Sequence, residues 1–207
     1  MASVTSCTQC GLKKNISQNY LDSLCLAMSD ECRGMQVHSM DKEVYDINGI
    51  LNHWFTEYLY LKYDTVGTPR MNVTEKQLKE GTLRRIAEGK FRIEKADSFG
   101  KTFNCPMVMN ETEYFFLNNE LVKISVTKGY PDYNAIPANY WIVMRQVDLL
   151  CQKNKIVNRK AYWYSGDRIQ LEDSEIEQEM DYLEIDENAL IQKAQSLYND
   201  KRNEIEK

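Results

Sequence analysis

Glycine and proline are scarce in this chain, with nine Gly and four Pro in 207 residues, so long flexible linkers are excluded. Histidine is scarcer still: only His38 and His53 are present. No Cys/His or Ser/His pairing that would activate a nucleophile can be assembled from them. His53 lies in an aromatic stretch and reads as a core or boundary residue. No apolar run approaches the roughly 20 residues needed to span a bilayer. The opening "MASVTSCTQC" has no charged start followed by an apolar core, so it reads as non-secretory. "GTPR" and "GTLRR" both lack the glycines and lysine of a phosphate loop.

Positive charge is also in deficit. Lys and Arg number 26 against 31 Asp and Glu, a formal net charge of -5 with pI near 5.2. Phosphate contacts need clustered cations, so overall charge does not drive this chain onto nucleic acid. A local basic patch through Lys123 and Lys128, or through Arg84 and Arg85, stays open beside a solvated surface.

What is present suffices for a core. Hydrophobic residues make up 43%, and 13 Tyr and three Trp exclude wholesale disorder. The length suits one domain, or a core with a small appendage. Six Cys without a secretory signal suggest a reducing compartment and free thiols. Cys7 and Cys10, with Cys25 and Cys32, give the spacing C-x2-C-x14-C-x6-C. The first pair resembles half a zinc knuckle, but the six-residue gap is atypical, and scattered thiols are the alternative. Cys105 and Cys151 fit core positions.

Hydrophobic spacing predicts a helix within "SQNYLDSLCLAMSDEC", one over "EVYDINGILNHWFTEYLYLKY" and one over "NVTEKQLKEGTLRRIAEGKF". Strands follow at "FRIEKA", "KTFNCPMVM", "EYFFL" and "ELVKISV", with "NN" as the turn before the last. "KGYPDYNAIP" reads as a loop, "ANYWIVMRQVDLLCQK" as an amphipathic helix, "KAYWYSG" and "RIQLED" as strands, and the tail from about Asp186 as a charged helix. The acidic stretch from Gln170 to Asn188 carries no base; it reads as a solvated loop and helix start, or as a dock for a basic partner. "YWIVM" and "AYWYSG" read as core packing, with base stacking as the alternative. The expected class is α+β: a mixed central β-sheet flanked by helices, with a Cys-containing helical arm over 1–41 and the core over 42–207.

From about residue 45 to 200 this order resembles the YqaJ/lambda-exonuclease branch of the PD-(D/E)XK nucleases, a branch that includes phage recombination exonucleases. The family's G-(T/S)-x-x-E helix motif is met by Gly81 and Thr82, but Arg85 stands at the acid. Its G-x-P-D strand is met by Pro106, followed by Met107 in place of the aspartate. Its (E/D)-x-K strand is met by "LVKIS", where Val122 holds the acid's place and Ile124 the lysine's. Gln146 stands where the family has a glutamine on a helix. Arg85, Met107 and Val122 offer no oxygen to a magnesium ion, which needs hard oxygen ligands to activate water.

The resemblance therefore implies a restriction-endonuclease-like core whose catalytic residues and metal site are gone, and no cofactor. The implied function is a non-catalytic bacteriophage assembly protein, a virion or tail-ring component put together in the host cytoplasm. Its partners would be other phage structural proteins and further copies of itself, with no membrane and no tight sequence-specific nucleic-acid binding. One alternative is a recombination exonuclease, or an accessory to one, using Glu111, Glu113 and Glu120 as metal ligands. Another is an adaptor or inhibitor of a host nuclease or recombinase.

Overall fold

A run such as "LNHWFTEYLYL" is apolar on several sides. It suits a buried helix, and equally a strand covered on both faces. In the computed structural model it is a strand. The structure describes residues 36–45, 50–61, 70–71, 82–98, 101–117, 119–131, 142–165 and 167–205.

Among the described residues nine strands form one sheet: β1 Gln36–Tyr45, β2 Leu51–Leu61, β3 Arg70–Met71, β4 Thr82–Ser98, β5 Lys101–Leu117, β6 Glu120–Pro131, β7 Ile142–Gln152, β8 Lys155–Ser165 and β9 Asp167–Gln170. Their order is β3-β1-β2-β4-β5-β6-β7-β8-β9. Every pairing is antiparallel except the short parallel one of β3 on β1. Two helices close the described chain, α1 Asp173–Tyr182 and α2 Glu187–Ile205. The class is α+β with a large antiparallel sheet.

Three predicted helices need correction. The segment 43–63 contributes the end of β1 and all of β2, residues 82–91 begin β4, and 142–152 form β7. Aromatic and branched side chains satisfy helical spacing in these segments, yet they alternate between two faces that are both buried in places. The turns agree with strands. Lys153 and Asn154 both have positive φ (50 and 58°), as a two-residue hairpin turn of type I′ requires, and they join β7 to β8. Asn119, in the predicted "NN" turn, also has positive φ (64°). "KTFNCPMVM" and "EYFFL", read as two short strands, are one strand of 17 residues. The terminal helix begins as expected: the Asp186 carboxylate accepts the Ala189 N–H at 3.0 Å and caps α2. The acidic stretch contributes α1, whose Glu175 side chain accepts the Glu172 N–H at 2.9 Å. The boundary expected at 41/42 falls inside β1, and the predicted N-terminal helix lies outside the described residues.

The two sheet faces differ. Ile86, Tyr114, Ile124, Val147, Leu149 and Ala161 point to one face, where α1 and α2 bury them with Ile176, Met180, Ala194 and Tyr198. α2 runs across the strands. Glu187 reaches Arg159 on β8 at 2.9 Å, Lys193 pairs with Glu88 on β4, and Lys201 lies 4.7 Å over Tyr58 on β2. The other face carries charge. Single unpaired residues, Arg84, Met107, Val122 and Val157, interrupt the ladders as bulges, and bulges add local twist.

Candidate functional site: the charged face of the sheet

Side chains that pair across antiparallel strands share a face. Glu57, Ala87, Glu113, Ser125 and Asp148 form one such row. The rows beside it carry Arg85 and Lys123 on one side, and Glu111, Thr127 and Gln146 on the other. All of these lie opposite the helices.

Two ion clusters occupy this face. In the first, Arg85 is buried and three carboxylates converge on it. Its Nε donates to Glu113 at 2.7 Å, its Nη1 to Glu57 at 3.1 Å and its Nη2 to Glu111 at 3.3 Å. Burial by itself would lower the Arg85 pKa. The charges of Glu113 and Glu111 and the bond to Glu57 outweigh it and hold the guanidinium above its ordinary value. In the second, Lys123 Nζ lies 2.7 Å from Asp148 Oδ2, and both side chains are almost wholly buried. Ser125 and Gln146 each donate to Asp148 Oδ1 at 2.6 Å, and the Tyr164 hydroxyl donates to Gln146 at 2.9 Å. Arg168 approaches Asp148 at 3.5 Å and covers the Tyr162 ring at 3.7 Å. Burial pushes the Tyr164 hydroxyl up to about 12, against the opposing pull of Arg168 and with help from Asp148 and Glu113.

The residues expected from the sequence divide between these clusters and other places. Arg85 and Lys123 sit in one row, each paired with Phe115 between them. Val122 is the bulge residue beside Lys123, and Ile124 points to the helix side and is fully buried. Met107 is a bulge in β5, eight residues from Phe115, or roughly 27 Å along the strand. Pro106 stands next to that bulge, where a missing N–H is tolerated, and Thr82 begins β4. Arg85, Met107 and Val122 are therefore not gathered at one point. Gln146 is on a strand and not a helix, and it serves Asp148. Glu111 and Glu113 bind Arg85, whereas Glu120 is exposed at the β5–β6 turn. Gly81, Cys7, Cys10, Cys25 and Cys32 lie outside the described residues. Among the described residues no cluster of His, Cys, Asp and Glu has metal-binding geometry.

His53 stands on β2, 3.0 Å from the Glu43 carboxylate of β1 and with its ring 6.0 Å from Phe91. Cys151 is buried in the core, as its sequence context suggested, and burial together with Glu187 pushes its thiol up to about 12. Glu57, Asp148, Tyr164 and Arg168 escaped the sequence. Their only signal was charge at positions that alternate with apolar residues, which a helical reading conceals.

No family model matches the chain, and no curated protein or solved structure matches it.

Proposed function

We propose that the protein performs no phosphodiester chemistry and acts by fitting against other proteins, as a non-catalytic assembly component. One observation carries this reading: Arg85 lies among Glu57, Glu111 and Glu113, so a fixed guanidinium neutralises the carboxylates that a divalent ion would need. Catalytic magnesium keeps exchangeable water and an open position for substrate, and a buried arginine provides neither. The exonuclease alternative loses support on the same ground, because two of its three acids are committed to Arg85 and Glu120 is at the turn.

The concrete form follows the resemblance to the phage exonuclease branch: a virion or tail-ring component on a degenerate restriction-endonuclease-like core. The extended sheet, closed by helices on one face and ion-paired on the other, suits a rigid body that stacks into an assembly. Two measurements test the proposal. Labelled linear duplex incubated with the protein and Mg²⁺ or Mn²⁺ is expected to stay intact. Light scattering at high protein concentration is expected to give one large discrete mass. A monomer that captures a single host nuclease would favour the adaptor reading, and cleavage abolished by Glu120→Gln would establish the exonuclease.

A further inference from the structure

One row on the helix-side face gathers cations and exposed tryptophans in this acidic protein. It crosses eight strands from β1 to β9 and contains no carboxylate. Lys42, Lys90, Lys128 and Arg145 supply four cations, with Asn110 between Lys90 and Lys128. Trp54 and Trp163 stand near the two ends of the row and are 36% and 43% exposed. The row lies four residues along the strands, about 13 Å, from the Ile86–Tyr114–Ile124 row that the helices cover. Between them runs the Glu88–Thr112–Val126–Val147–Ala161 row, whose Val147 and Ala161 still belong to the core.

Cations and rings are interleaved along it. Lys90 lies 4.9 Å over Trp54, and Lys128 and Arg145 lie 5.0 and 4.4 Å over Tyr182 at the end of α1. Of the nearby acids, Glu88 is held by Lys193 and the Tyr114 hydroxyl, Glu179 pairs with the row's own Arg145 at 2.9 Å, and Asp167 stands at the β9 end of the next row, so the three lysines are the main cations offered to a ligand. Arg92 adds a further cation on that next row.

We propose that this row binds single-stranded nucleic acid without base-sequence preference. Lysines on every second strand can follow a phosphate backbone, and exposed indole rings offer faces to unstacked bases. The seven strand intervals span about 33 Å, room for a run of roughly four or more nucleotides. An extended acidic peptide is a poorer occupant. The row crosses the sheet where backbone groups are paired, so a peptide would gain none of the main-chain bonds that strand addition supplies. Duplex DNA keeps its base faces inside the stack and would use the cations alone.

The test is fluorescence anisotropy of a labelled oligothymidylate of about 12 nucleotides with the full chain at about 50 mM salt. Binding is expected, with a slope of log K on log salt between roughly -2 and -3, since each cation–phosphate contact on a single strand contributes about 0.7. Lys42→Ala with Lys90→Ala should reduce that slope by about 1.4. Trp163→Ala should weaken binding roughly tenfold. Lys42 is exposed, so Lys42→Glu alone keeps the fold and should still weaken binding several-fold if the tryptophan variant does not fold. Loss of tryptophan fluorescence on adding the oligonucleotide to the parent protein is a second expected signal. No anisotropy change, variants that bind like the parent, or equal competition by polyglutamate or duplex would overturn the proposal.

Discussion

Arg85 shows how one residue type redirects a cluster. Three carboxylates within 3.3 Å of a buried guanidinium are a stable arrangement only while the cation remains. Arg85→Ala should lower stability by about 3–5 kcal/mol, measured as a shift in the denaturant midpoint. The freed oxygens should then respond to Ca²⁺: millimolar amounts are expected to restore part of the midpoint in the variant and to leave the parent unchanged. Arg85→Lys should fall between the two, because a lysine ammonium cannot match the guanidinium's fork of donors. Lys123 and Asp148 behave as a second such unit. Lys123→Met would leave Asp148 buried with Ser125, Gln146 and Arg168, and should cost about 3 kcal/mol in the same measurement. Arg85 was legible in the sequence as an arginine where a related pattern has an acid. Its three partners were not, because they come from β2 and β5, and only strand pairing brings them together.

At the scale of elements, β4 carries the clearest conflict between local preference and final structure. Its "TLRRIAEG" run is composed largely of good helix formers, yet it pairs with β2 and, from Arg85 onward, with β5 as well. Gly89 explains part of its place there. A Cβ at this position would stand 2.5 Å from the Phe55 ring and 2.6 Å from the Asn110 carbonyl oxygen. Phe55 from β2 covers the glycine and stacks on Phe91 with ring centroids 5.3 Å apart. Gly89→Ala should therefore destabilise the sheet by roughly 1–3 kcal/mol, despite alanine's better intrinsic propensity, and thermal unfolding measures this directly. Turns were easier to read than strands: "NN" was expected as a turn, and its Asn119 occupies the left-handed region, because turn chemistry is local. The helix α2 was legible as well, since its amphipathic pattern runs unbroken into its one apolar contact face.

The whole molecule buries an apolar core under its helices on one face of the sheet and ion clusters on the other, so its stability should depend on groups kept neutral by burial. Cys151 has its thiol raised from 9.0 to about 12, and Tyr164 its hydroxyl from 10.0 to about 12, chiefly by burial. The unfolded chain gives up these protons first as pH rises. The stability is thus fully present below about 9 and is lost as pH rises from 9 toward 12. The melting temperature is expected to hold from neutrality to about pH 9 and then to fall, and Cys151→Ala should remove the earliest part of that decline.

Composition, turn chemistry and the terminal amphipathic run determined by themselves that this chain has a core, that a hairpin turns at Asn119 and that a helix closes it. These depend on residues near one another in sequence, where local sterics and spacing decide the outcome. The tertiary structure alone decided that three helix-like segments are strands, that Arg85 holds Glu57, Glu111 and Glu113, and that cations and tryptophans from separate strands share one row. Each of these depends on cross-strand register, in which a neighbour 26 or 28 positions away in the chain stands within hydrogen-bond distance, and no periodicity along the sequence records it.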